Sequence, residues 1–180
     1  MLYITVPAIE LWDEVKEEFI YLKEQNLQLE HSLISISKWE SKWCKSFFSK
    51  QKKTSEEVLD YIKCMTITQN VNPIIYNYLT KDNIDQINKY IEDPMTATYF
   101  PKDDNNGSSR DTITSELIYY WMIALNIPDK YDKWHINRLL TLIRVCNIKN
   151  QPAKKMSKSE IMNRNRALNA ASRQQLNTKG

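Results

Sequence analysis

Only two glycines occur in this 180-residue sequence, Gly107 and Gly180, and that scarcity narrows the folds open to it. Tight hairpin turns call for residues that accept positive φ, and glycine is the usual one. A β-sandwich or barrel, with turn after turn, is therefore disfavoured against a chain built mainly from helices. The same inventory rules out a glycine-rich phosphate loop. An apolar content of 42% with 11% aromatics is enough for a real core, and the length suits one domain, or one domain plus an arm.

Charge divides the chain unevenly. From Lys149 to Gly180 there are eight Lys/Arg and one acid, net +7, while the first 148 residues hold 17 bases and 21 acids, net −4. A mildly acidic, aromatic-rich body with a basic, apolar-poor arm points to an interaction segment more than to a catalyst. The expected organisation is a mainly α, compact helical domain over residues 1–150, with a small β-ribbon within 1–30. A basic C-terminal arm over 151–180 follows, forming a protruding helix.

Local signals place the elements. Leu2–Val6 is a short β-type run closed by Pro7. Residues 8–30 support two readings. Leu11, Trp12, Val15, Phe19 and Leu22 sit at helical spacing, yet 18–22 and 26–30 also read as strands flanking a Lys-Glu-Gln-Asn turn, and the ribbon is preferred. Ser37-Lys38-Trp39-Glu40, Thr54-Ser55-Glu56-Glu57 and Ser157-Lys158-Ser159-Glu160 fit the capping box, in which hydroxyl and carboxylate satisfy free backbone donors. Pro73 suits the first turn of a short helix through Leu79, and Ile84, Ile87 and Ile91 mark another helix over 82–91. Residues 94–111 read as a loop with a mobile tip at 102–109. Thr114 can cap a helix over 115–126 that is apolar nearly all round and so expected to be buried on most faces. A helix over 133–147, with Ile136, Leu139, Leu140, Ile143 and Cys146 on its core face, is expected to pair with it as an antiparallel hairpin. The arm helix, 158–175, has only the thin stripe Ile161, Leu168 and Ala171, too little to hold it firmly against the body.

Candidate chemistry is sparse. Cys44, Cys64 and Cys146 are odd in number and widely spaced, and read as reduced, buried thiols of a cytosolic protein. No leader pattern and no apolar run near eighteen residues is present, so neither secretion nor a membrane span is expected. His31 and His135 have no partner at metal-ligand spacing, and no CxxC exists, so no metal or cofactor is expected. Glu30-His31-Ser32 sets acid, imidazole and hydroxyl side by side, but sequence neighbours rarely converge into a triad, and a packing or capping histidine is the simpler reading. Asp103–Gly107 looks like half a calcium loop, but Lys102 and Ile113 occupy its ligand positions. Trp39, Trp43, Phe47 and Phe48 lie between Lys38, Lys42 and Lys45. They could stack bases, although core aromatics on an amphipathic helix is preferred, and Trp12, Trp121 and Trp134 are read as core too.

Two stretches carry a likeness. One is Leu29-Glu30-His31-Ser32-Leu33-Ile34-Ser35-Ile36-Ser37-Lys38-Trp39-Glu40-Ser41. The other runs from Tyr119-Tyr120-Trp121-Met122 through Trp134-His135-Ile136-Asn137-Arg138-Leu139-Leu140 to Lys154-Lys155-Met156-Ser157 and Arg166-Ala167-Leu168-Asn169. Together they resemble small proteins encoded in the tail modules of tailed bacteriophages, of the tail assembly chaperone kind, over most of the chain outside the 94–113 loop. The resemblance implies a largely helical, non-enzymatic morphogenesis factor. Such a factor acts in the infected host's cytoplasm and binds tape measure and tail tube proteins until the tail polymerises. On that reading the arm would dock the partner through Lys154, Lys155, Arg164, Arg166 and Arg173, with Ile161 and Leu168 as apolar anchors. Trp39 and Trp43 would line a groove on a helix over 37–49. Two alternatives stay open: a minor structural protein of the virion tail, and a nucleic-acid-binding accessory protein acting through the basic arm. Nothing in the sequence fixes the oligomeric state.

Overall fold

The computed structural model describes residues 1–13, 17–100, 112–151 and 157–176. It is mainly helical, with a small antiparallel β region at the N-terminus. Contacts group the chain into two compact units, Met1–Asn147 and Ile148–Gly180.

The first unit opens with four short strands: β1 (Leu2–Val6), β2 (Ile9–Asp13), β3 (Glu18–Leu22) and β4 (Gln25–Leu29). β1 pairs antiparallel with β4, from Leu2↔Leu29 to Val6↔Gln25, and β2 pairs with β3, from Ile9↔Leu22 to Asp13↔Glu18. Paired residue numbers add to 31 throughout, so the two ladders belong to one long hairpin in a single register. The ladder lapses opposite Pro7, which has no N–H to donate. This corrects the expected pairing of 18–22 with 26–30. Both are strands, but Lys23–Glu24 is a break within one arm of the hairpin, and neither residue takes positive φ. Glu17, at φ 52, does so where the chain reverses.

The base of the hairpin faces the core. Ile4, Val6, Leu27 and Leu29 are at most 3% exposed. Backbone bonds from Glu30 N to Met65 O (2.9 Å), Ile67 N to Gln28 O (2.8 Å) and Ile136 N to His31 O (2.8 Å) tie its end to the helices.

Five α-helices follow among the described residues: α1 (Leu33–Trp43), α2 (Ser55–Met65), α3 (Lys81–Glu92), α4 (Ser115–Ala124) and α5 (Ile136–Asn150), the last lying in this unit as far as Asn147. α1 starts four residues before the expected capping box. Ser32 is its N-cap and Ser35 its box partner, Ser37 lies within the helix, and Glu40 is turned inward. The box at Thr54 and Glu57 opens α2 as expected, and Thr80 with Asn83 forms an analogous box for α3. Pro73 begins a 3₁₀ turn, Pro73–Tyr78, and Thr114 caps α4. Leu33, Ile36 and Trp39 of α1, Ile62 and Met65 of α2, Ile87 of α3, Ile118 and Met122 of α4, and Ile136, Leu139 and Ile143 of α5 meet in one core.

Three expectations fail here. α4, expected to be buried on most faces, is a surface helix that packs against α1. Its all-round apolarity leaves Tyr120 and Ile123 exposed at 62% and 75%. Trp12 is 52% exposed rather than core. All three cysteines are free, but Cys44, which ends α1 in the left-handed region (φ 50), is exposed. Cys64 and Cys146 are half-buried.

Glu40 shows how this core is stitched. Its carboxylate is buried and accepts the backbone N–H of Phe47 and of Ser115, both at 2.7 Å. Ser115 is the first residue of α4, so the acid sits at a helix N-terminus, where unpaired donors and the helix dipole favour negative charge.

The second unit contains α6 (Lys158–Leu176), nineteen residues long. Ser157 Oγ accepts the Glu160 N–H at 3.2 Å and Glu160 Oε2 accepts the Ser157 N–H at 2.8 Å, which completes the predicted box. The loop tip at 102–109 lies outside the described residues. No helix among the described residues is long and apolar enough to cross a membrane.

Candidate functional site

Every residue of α6 is exposed. Ile161 and Leu168, at 45% and 56%, are seven residues apart and share one side of the helix. Arg164 lies between them at the spacings that make helical neighbours. Arg166 and Arg173, also seven apart, share another side. The helix therefore presents a narrow apolar stripe with guanidinium groups beside it. Hydrogen bonds from the Ser157 backbone and hydroxyl hold the Glu160 carboxyl below its usual range. Lys154 and Lys155 lie outside the described residues.

Trp39 and Trp43 occupy different ground from the expected groove. Trp39 is 1% exposed, and its indole N–H donates to the Glu57 carbonyl at 2.9 Å. It is a core residue with no face for a partner. Trp43 is half-buried, and its N–H donates to Asp60 Oδ2 at 2.9 Å. The lysines beside them are engaged within the fold. Lys42 pairs with Asp60, Lys45 lies 2.6 Å from Glu57, and Lys53 sits 4.2 Å from the centre of the Phe47 ring. Burial works against the charged form of Asp60, yet Lys42 and the Trp43 N–H hold its carboxyl below the usual range. The Lys45 hydrogen bond does the same for Glu57.

The sequence reading missed an exposed aromatic face on the outer half of the hairpin. Trp12 and Phe19 are cross-strand partners whose rings meet edge to face at 4.8 Å. Tyr21, opposite Glu10, stands on the same face, and Trp12, Phe19 and Tyr21 are 52%, 65% and 65% exposed. The face arises from parity. In β1 the even-numbered residues point inward, but the three-residue step from Val6 to Ile9 reverses the side, so Glu10 and Trp12 point outward. The available signal was the alternation in Ile9–Asp13, legible only once its partner strand is known.

A buried polar cluster brings both histidines together, which the sequence reading did not anticipate. Their rings meet at 5.0 Å, and each is at most 5% exposed. His31 Nδ1 is hydrogen-bonded to the Tyr61 hydroxyl. His135 Nε2 donates to the Tyr90 carbonyl at 3.0 Å, while its Nδ1 accepts from the Asn137 N–H at 3.3 Å. Those roles fix His135 as neutral, since a second ring proton would lose the Asn137 bond. Burial, with His135 alongside, pushes His31 down to about 3, and burial also lowers His135. Tyr90 donates to Glu30 Oε1 at 2.6 Å, and burial followed by that carboxylate pushes its phenol up.

The recesses offer little acid–base chemistry. One of about 440 Å³ touches Glu30, Ser32, Ser35, Lys38, Cys64 and Lys133. Its two serine oxygens are committed to the cap of α1, with Ser35 Oγ donating to Ser32 O at 2.7 Å. Burial, and then Asp60, pushes the Cys64 thiol up and so disfavours its thiolate. Another, about 450 Å³, lies between residues 95–98 and α5, where the Arg138 guanidinium stacks 3.9 Å over Trp134. Among the described residues no group of His, Cys, Asp and Glu is arranged to hold a metal ion. No protein-family model matches this chain, and no curated protein or solved structure shows significant similarity to it.

Proposed function

We propose that this chain is a non-enzymatic morphogenesis protein of a tailed bacteriophage, a tail assembly chaperone acting in the host cytoplasm on tape measure or tail tube proteins. The observation that carries the docking part of this reading is α6, a capped nineteen-residue helix with every residue exposed. Helices in proteins draw most of their stability from packing an apolar face, and this one would gain it by laying its Ile161–Leu168 stripe into a partner's groove. The flanking arginines steer the encounter and make it salt-sensitive. A tape measure, as a long amphipathic helical chain, would supply such a groove and would aggregate if unshielded. The phage context itself rests on the sequence resemblance.

The test is a pull-down from infected cells. Wild-type chain is compared with one carrying Ile161→Ser, Leu168→Ser, Arg166→Glu and Arg173→Glu. Tail proteins recovered by the wild type and lost with the variant support the reading. Recovery of nucleic acid alone, lost at high salt, would replace it with the nucleic-acid-binding alternative. Stoichiometric copies in purified virions, found by mass spectrometry, would replace the chaperone with a structural tail protein.

A further inference from the structure

The outer half of the hairpin is an unusual surface to leave in water. A two-stranded ribbon alone is marginally stable. Among the described residues, β2 and β3 pair only with each other. Trp12, Phe19 and Tyr21 stand exposed on one side. The sequence from Ile9 to Glu24 carries six acids and two bases, net −4. Exposed aromatics in so acidic a segment suit a cationic helix, because guanidinium groups stack on aromatic faces and pair with carboxylates at once. The same acidity disfavours pairing of two ribbons with each other, since like charges would be brought together.

The sequence supplies a matching surface of opposite sign. Its last thirty-two residues carry net +7. Within them α6 exposes Ile161 and Leu168 together with Arg166 and Arg173. We infer that the aromatic ribbon of one molecule is the docking site for the basic C-terminal helix of a second copy of this chain. The contact is heterologous: each molecule offers one ribbon and one arm, so association is head-to-tail and can extend beyond a dimer. It does not depend on the phage reading.

The experiment is sedimentation of the full chain and two full-length variants at several concentrations. The ribbon variant carries Trp12→Ser and Phe19→Ser; the arm variant carries Arg166→Glu and Arg173→Glu. Wild type is expected to associate with rising concentration at about 0.1 M salt, and to dissociate at about 1 M, where screening shrinks to roughly 3 Å. Each variant alone stays monomeric. Mixed in equal amounts they form a 1:1 dimer, because one still has its arm and the other its ribbon. Circular dichroism checks that both fold. Should the ribbon variant not fold, Glu10→Lys with Glu17→Lys takes its place, and the arm variant, its charges now opposite, should bind it. A wild type that remains monomeric at low salt overturns the inference. So does a variant that associates as the wild type does, or a mixture that forms no dimer.

Discussion

Mild acid should destabilise this fold through its histidines, well before its carboxylates titrate. His31 is neutral in the folded state and is pushed down to about 3, against 6.5 when unconstrained. At neutral pH both states bind no proton there, so the group adds no pH dependence. As pH falls below 6.5 the unfolded chain takes up a proton that the folded protein refuses until far lower, and stability is lost across that interval. Each pH unit costs about 1.4 kcal/mol for one such group, so going from neutral to about pH 5 removes about 2 kcal/mol through His31 alone. His135, also lowered by burial, acts in the same direction. Glu57 and Asp60 have depressed carboxyls, so their contribution persists above the ordinary carboxylate range and is lost only below it. The loss between about pH 6.5 and 5 therefore comes from the histidines, opposed by Asp132, whose carboxyl burial raises so that the folded protein takes up that proton first. Urea unfolding followed by circular dichroism at several pH values measures the effect. With a slope near 2 kcal/mol per molar, the wild-type midpoint should fall by about 1 M from His31 alone. His31→Gln, which keeps a group able to hydrogen-bond Tyr61, should be less stable at neutral pH but less steep below it. The gap between the two proteins should close by about 2 kcal/mol at about pH 5. Equal slopes for wild type and variant would refute the reasoning, because His31 would then titrate normally inside the folded protein.

Three further outcomes follow from the packing. Glu40→Ala removes the acceptor for the Phe47 and Ser115 N–H groups, and leaving two such donors unpaired should cost about 2–4 kcal/mol in urea unfolding. Thr54→Ala deletes the hydroxyl that accepts the Glu57 N–H and should cost about 1 kcal/mol. Trp12→Ser with Phe19→Ser alters exposed residues, so monomer stability at high salt should change by about 1 kcal/mol or less. A collapse of the thermal transition there would mean that the aromatic face supports the fold itself.

The sequence by itself determined the features whose causes lie within a few residues. The caps at Thr54, Thr114 and Ser157 pair groups three positions apart, and Pro73 suits any first turn, so each was readable without a fold. The arm was equally legible, since charge composition needs no tertiary context. The candidate docking helix was thus visible in advance, down to Ile161, Leu168, Arg166 and Arg173. Only the tertiary structure decided what depends on distant neighbours. The partner of β3 is β2 rather than β4 because register is set across the whole hairpin. Trp39 is buried while Trp12 is exposed, although both are tryptophans in amphipathic patterns, because burial is fixed by what packs opposite. α1 is capped at Ser32 rather than Ser37, and Glu40, inside the helix, is bonded to the start of α4, 75 residues along the chain. His31 and His135 meet only because α5 begins against the end of the hairpin. Local chemistry ends at about one helical turn, and pairing, burial and the sharing of a buried cluster begin where that reach stops.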